Sequence, residues 1–191
     1  VKQLILIIGA PGSGKTTDAE HIAARHQETI THYSTGDMLR DEVARNSEQG
    51  KIIDSFISQG RIVPIEIAMK TIVNAIKTAP TPVILLDGYP RSIEQMEALE
   101  NFLETDNSIT LVSVIEVEVS QTVAYERVVG RARGADDERN VFERRMKIYT
   151  EPLAAIESFY TKKKLLHRIN GERSIDAVVD DMDAFIQSQI N

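Results

Sequence analysis

Apolar residues fall along this chain in two alternating rhythms. Near-continuous, β-branched runs at 3–9 (QLILIIG), 81–88 (TPVILLDG), 110–119 (TLVSVIEVEV) and 165–170 (LLHRIN) predict strands, and a weaker one ends near HYST at 32–35. Between them, apolar residues recurring every three or four positions predict helices near 15–25, 37–58, 65–78, 92–104, 120–130, 138–163 and 174–190. In the long 138–163 segment, Phe142, Met146, Tyr149, Leu153, Ile156 and Tyr160 form one inward stripe, and Pro152 is expected to kink or break it. This alternation predicts a doubly wound α/β fold, a parallel sheet with helices on both faces and ligands at the carboxyl ends of its strands.

Two stretches stand outside the rhythm. Residues 34–63 hold two short helical patterns separated by NSEQG, with no apolar strand between them. Residues 131–138, RARGADDE, are polar and strongly charged. Both read as excursions over a site at the sheet edge.

Composition changes this picture little. A length of 191 residues suits one principal domain. The formal charge of −7 argues against bulk nucleic-acid binding. The absence of cysteine excludes disulfides, a thiolate nucleophile and Cys-ligated zinc, and fits a reducing cytosol. The run LILII at 4–8 is too short to span a bilayer and has no cleavage site behind it, so a cytoplasmic protein without membrane attachment is expected. The four histidines, His21, His26, His32 and His167, form no spaced cluster and read as structural or exposed.

The chemistry begins at GAPGSGKTT, residues 9–17. Gly9, Gly14, Lys15 and Thr16 satisfy G-x-x-x-x-G-K-[ST] between a predicted strand and a predicted helix, the context of a P-loop NTPase fold. Glycines let backbone N–H groups turn inward around oxyanions, and the helix N-terminus adds partial positive charge. Lys15 can reach the β- and γ-phosphates, and the Thr16 hydroxyl can ligate Mg²⁺. Asp87, ending VILLD, offers a carboxylate to orient the metal's water. No Asn-Lys pair occurs, so a guanine-reading N-K-x-D segment is absent and a GTP switch is a poor reading.

Three further segments, STGDMLRDE (34–42), QGRIVP (59–64) and LLDGYPRS (85–92), together closely resemble the adenylate kinase family of nucleoside monophosphate kinases, in order and over essentially the whole chain. The resemblance implies a phosphate-loop core carrying a monophosphate-binding subdomain at 34–63 and a lid at 131–138, a monomer, and ATP, AMP and ADP as partners. It places Gly12, Ser13, Gly14, Lys15, Thr16, Thr17, Arg127, Arg131 and Arg173 at ATP, with Mg²⁺ held near Thr16 and Asp87. It places Thr35, Arg40, Arg61, Ile62, Val63, Gly88, Tyr89, Pro90, Arg91 and Gln95 at AMP. Arg133 and Arg145 correspond to arginines that close on the transferred phosphoryl group, and Lys15, Arg91, Arg127, Arg133 and Arg145 form the implied catalytic set. The residue chemistry agrees: Arg40 and Arg91 supply planar, permanently charged forks for a phosphate, and Gln95 carries both a donor and an acceptor for an adenine edge.

The lid is the short, zinc-free kind. Asp136 and Asp137 match the family's paired carboxylates, but Glu138 and Arg139 stand where short-lid relatives commonly have Asn and Glu, and the spacing from Arg133 to Asp136 is one residue longer than in some relatives. A UMP/CMP kinase shares most of these motifs. Thr35, Ser92 and Gln95 favour AMP over that alternative, and the full set of arginines argues against a non-catalytic nucleotide sensor.

Overall fold

The computed structural model describes residues 1–131 and 139–190. Five strands, β1 (Lys2–Gly9), β2 (Ile30–Ser34), β3 (Val83–Asp87), β4 (Ile109–Glu118) and β5 (Leu166–Asn170), form one sheet in the order β2-β3-β1-β4-β5, with every pairing parallel. Around it lie α1 (Lys15–Arg25), α2 (Thr35–Ala44), α3 (Glu48–Ile57), α4 (Ile65–Thr78), α5 (Ile93–Thr105), α6 (Gln121–Arg131), α7 (Arg139–Lys162) and α8 (Ile175–Gln189). No helix among the described residues is long and apolar enough to cross a membrane.

The period-two geometry of a strand explains the layers, because successive side chains point to opposite faces. Leu4, Leu6, Ile8, Ile84 and Leu86 pack on one face with Ile72, Leu99, Ile156 and Tyr160, from α4, α5 and α7. Ile5, Ile7, Val83 and Leu85 pack on the other with Ile22, Val179 and Ile186, from α1 and α8. Both faces are covered, so β1 and β3 read as unbroken apolar runs. The faint signal of β2 follows from its edge position, where Thr31, His32 and Tyr33 are only partly buried.

Serine side chains fix where several helices begin. Ser34, Ser47, Ser92 and Ser174 accept the backbone N–H groups of Asp37, Gly50, Gln95 and Ala177, satisfying donors that have no partner within the helix. The cap at Ser47, after Asn46 at φ 55, divides 37–58 into α2 and α3. These two helices close a small core of their own around Leu39, Ile53 and Val63.

Pro152 does not break α7, which runs as one helix from Arg139 to Lys162. A proline inside a helix costs about 3 kcal/mol. Phe142 and Met146 before it, and Ile156 and Tyr160 after it, are each at most 7% exposed. Burial of such side chains contributes roughly 1.5–3 kcal/mol apiece, so the stripe outweighs the proline.

One buried acid strains this scaffold. Glu116 on β4 is 3% exposed, its Oε1 has no hydrogen-bond partner, and its Oε2 lies 3.7 Å from Arg168 Nε. The other side of that guanidinium donates to Glu157 Oε2 at 2.7 Å. Burial, reinforced by the Glu157 carboxyl, pushes Glu116 up from an ordinary 4.5 to about 7 against the pull of Arg168. An acid whose pKa is raised by folding favours the native state while protonated, and that contribution is lost as pH climbs from about 4.5 to 7. Denaturant unfolding across that window should therefore show stability falling as pH rises. Glu116→Gln, which stays neutral, should flatten the slope and gain on the order of 1–3 kcal/mol at pH 8; an unchanged slope would refute this account.

Candidate active site

The chain leaves β1 toward β2 on one side and leaves its neighbour β3 toward β4 on the other, so these connections run in opposite directions and open a crevice at the carboxyl ends. The segment following β1 fills the crevice mouth. Gly12 has φ 84, and a Cβ there would fall 2.3 Å from the Ala124 carbonyl oxygen. Gly14, at φ 90, is the N-cap of α1. Only glycine adopts both conformations cheaply, and the resulting turn aims main-chain amides and a helix N-terminus at one point. The buried Ser13 Oγ has no partner.

The next strand ends anchor this loop. Thr16 Oγ1 donates to Asp87 Oδ1 at 2.9 Å, tying the start of α1 to the tip of β3. The other Asp87 oxygen is bonded to His32 Nε2, from β2. Burial works to raise the Asp87 carboxyl, but the His32 hydrogen bond, the Lys15 charge and the Thr16 hydroxyl outweigh it and hold it below the ordinary carboxylate range. Asp87 is therefore an anion at neutral pH. His32, expected only to be structural or exposed, is the group that steadies it.

A cleft with about 870 Å³ of empty space runs from Gly12, Lys15 and Thr16 out between α2, α3 and α4. Thr35, Arg40, Arg61, Ile62, Val63, Gly88, Arg91, Gln95 and Arg145 all line it, as does Asp87. Sequence motifs from four separate stretches thus meet on one surface. The Thr35 hydroxyl is buried without a partner. Pro90 lines the adjoining space beside Arg91 and Arg145. Tyr89 does not reach the cleft: its ring is fully buried in the core, and its hydroxyl donates to the Gln95 carbonyl at 2.7 Å. The amide of Gln95 is also partly committed, because its Oε1 accepts the Arg91 backbone N–H at 2.7 Å. What Gln95 retains for the cleft is its pair of N–H donors.

Arg91 sets the electrostatics. Its Nε donates to the Gly88 carbonyl at 2.8 Å, which fixes the guanidinium plane. Burial, then the charges of Arg145 and Arg40, push its pKa down to about 10, with only Asp87 acting the other way. Arg91 remains charged at neutral pH, but the protein holds it at a cost. An arginine forced among other arginines implies an anion that joins them.

A second cavity opens on the opposite side of the loop, lined by Gly12, Ser13, Gly14, Thr17, Arg127 and Arg173. Arg127 is pinned by donating to the Ser13 and Gly171 carbonyls at 3.0 and 2.8 Å. Arg173 donates to the Asn170 carbonyl at 3.1 Å and to Asp181 at 2.7 Å. Asp18 lines the same cavity, and burial pushes its carboxyl up to about 6 despite the charges of Arg127 and His21. The motifs gave no hint of Asp18. Its only sequence signal was an acidic residue one turn into α1. Arg133 lies outside the described residues, as do the Arg131 side chain and the acidic pair at Asp136 and Asp137.

The family model described as "Adenylate kinase" matches residues 7–165. The chain is 61% identical over 190 residues to an adenylate kinase of Helicobacter hepaticus, with all of both chains covered. It is 58% identical over 190 residues to one from Wolinella succinogenes, again over the full length of both. A Helicobacter pylori adenylate kinase is 55% identical over 191 residues, with both chains fully covered.

Arg91 gives a direct test of a site built for anions at the expense of stability. Arg91→Met keeps the stem and removes the charge. Its unliganded form should be more stable than the parent by on the order of 1 kcal/mol, from relief of desolvated like charge. Thermal protection by added sulfate or pyrophosphate, expected in the parent, should disappear in the variant. A variant that is destabilised yet still protected would contradict this.

Proposed function

The chain belongs to the adenylate kinase family, and we propose that it catalyses reversible transfer of the γ-phosphoryl group of Mg·ATP to AMP, giving two ADP. The observation that carries this reading is the crowding of Arg91 by Arg40 and Arg145 where the large cleft meets the phosphate loop. Two cavities share Gly12, one on each side of that loop, as a reaction between two nucleotides requires.

In this reading ATP lies with its phosphates on the amides of Gly12, Ser13 and Gly14, next to Lys15, Thr16 and Thr17. Its nucleoside occupies the cavity of Arg127 and Arg173, with Arg131 beyond. AMP lies along Thr35, Arg61, Ile62, Val63, Gly88 and Gln95, its phosphate gripped by Arg40 and Arg91. An AMP phosphate oxygen attacks the γ-phosphorus, and the bond from that phosphorus to the β–γ bridging oxygen breaks, leaving ADP. No protein nucleophile takes part. Charge spreads over the equatorial oxygens in flight, and Lys15, Arg91 and Arg145, joined by Arg133, stabilise it by fixed positive charge. Arg127 fixes the donor.

The residues present suit magnesium. Thr16 and Asp87 offer a hydroxyl and an ionised carboxylate 2.9 Å apart, all-oxygen donors that leave room for waters and phosphate oxygens. Among the described residues no group of three or more His, Asp or Glu side chains forms a metal cage. When bound, Mg²⁺ supplies charge neutralisation at the β- and γ-phosphates. We read the protein as a cytoplasmic monomer.

The decisive measurement is ADP formation from ATP with AMP, CMP, UMP or GMP as acceptor. AMP should exceed each of the others by at least about tenfold in kcat/KM, the effect of a buried donor left unmatched by the wrong base. Preference for a pyrimidine monophosphate would overturn the acceptor assignment.

Residues 34–63 form a monophosphate-binding arm and 131–138 a short lid in this proposal, both closing to exclude water from the transfer. Hydrogen exchange with and without a two-substrate analogue should show added protection in both stretches. Unaltered exchange in either one would remove it from the closing machinery.

A further inference from the structure

Among the described residues, Asp18 is a carboxylate that folding places beside a cavity without a hydrogen bond of its own. Asp18 is 4% exposed, yet among the described residues its side chain takes no hydrogen bond and no ion pair. Its two oxygens lie 3.7 and 4.0 Å from the position a Cβ on Gly14 would take, and Arg127 Nη1 lies 3.6 Å from the same point. The side chain therefore borders the cavity beside the phosphate loop, with Arg127, Gly171 and Arg173 around it.

The cations of that cavity are already engaged. Arg127 gives its terminal nitrogens to the Ser13 and Gly171 carbonyls, and Arg173 bonds to Asn170 and Asp181. An ionised carboxylate is an acceptor only, and the Asp18 carboxylate opens onto the cavity, so it can take a donor from whatever fills that space.

Depth identifies that donor, given the reading above in which this cavity takes the nucleoside of the phosphoryl donor. Asp18 stands four residues past Gly14 on α1, a rise of roughly 6 Å from the phosphate loop. The O–H groups of a nucleotide nearest its phosphates are those of the ribose. The amino group of the base lies farther out, toward Arg173 and the half-exposed Ile175. Carboxylates meet ribose hydroxyls in the same manner in dinucleotide-binding folds.

We propose that Asp18 is a specificity-determining residue of the donor site, whose carboxylate accepts a hydrogen bond from a ribose hydroxyl and so selects ribonucleoside over deoxyribonucleoside triphosphates. The closest competitor is an indirect role in which Asp18 acts only through the charge of Arg127. That role would affect every triphosphate alike.

Calorimetric titration of the whole protein with ATP, 2′-deoxy-ATP, 3′-deoxy-ATP and ITP, without acceptor, separates these. The parent should bind ATP about tenfold or more tightly than the analogue lacking the contacted hydroxyl. In Asp18→Ala that ratio should fall to within about twofold, with the ATP-to-ITP ratio unchanged. Asp18→Asn, which keeps one acceptor oxygen and the shape, should retain part of the discrimination and serves if the alanine variant misfolds. Equal binding of ATP and both deoxy analogues by the parent would overturn the proposal, as would equal weakening of all four ligands in the variants. A changed ITP ratio with the deoxy ratios intact would move the contact to the base and also overturn it. Failure to bind ATP at all would sink the donor-site reading itself, whereas loss of ribose discrimination alone leaves that reading standing.

Discussion

A concentration of like positive charge at the carboxyl end of the sheet is the constraint around which this molecule is organised. Arg91 sits among Arg40 and Arg145, and burial and those charges depress its pKa, while Asp87 acts to relieve it. Such a cluster repels itself and would scatter on a loose surface. It persists because each member is held from behind. Arg91 is fixed by the Gly88 carbonyl, Arg40 by Asp37 at 2.6 Å, and Arg145 stands on a helix whose burial survives even an internal proline. The scaffold thus supplies rigidity, and in the proposed reading a phosphoryl group is what the concentrated positive charge receives.

The loop and the sheet cooperate in the same sense. Main-chain amides require glycine conformations at Gly12 and Gly14, and those require a firm support. Thr16 bonded to Asp87, with His32 on the far oxygen, links α1 to β3 and β2 through one carboxylate. Three elements distant in sequence are therefore registered against one another at the point where phosphate chemistry takes place.

How much of this the sequence carried depended on range. Strands covered on both faces announced themselves as apolar runs, and β2 was faint because an edge strand buries less. The phosphate loop, Arg40, Arg91 and Asp87 lie in local motifs, so their types and spacings were readable directly. The Tyr89 ring turns into the core, because a motif gives the path of the backbone and not the face a ring chooses. Asp18 and Glu116 escaped notice, and His32 was read only as structural or exposed, for one shared reason: each is an ordinary polar residue in its own segment, and only contacts with elements far away in the chain make it consequential. Pro152 failed as a helix breaker on the same ground, since the stripe on α7 is stabilised by tertiary burial that no local rule includes.

The double duty of Gln95 has a consequence for how such a protein can diverge. Its side-chain Oε1 accepts the main-chain N–H of Arg91, so the side chain is a structural strut of the bend that aims the guanidinium. In the proposed reading, a mutation there would disturb the grip on phosphate along with the contact to the base. New acceptor preferences are therefore easier to reach through residues that touch only the base, and the strut itself would be expected to change last.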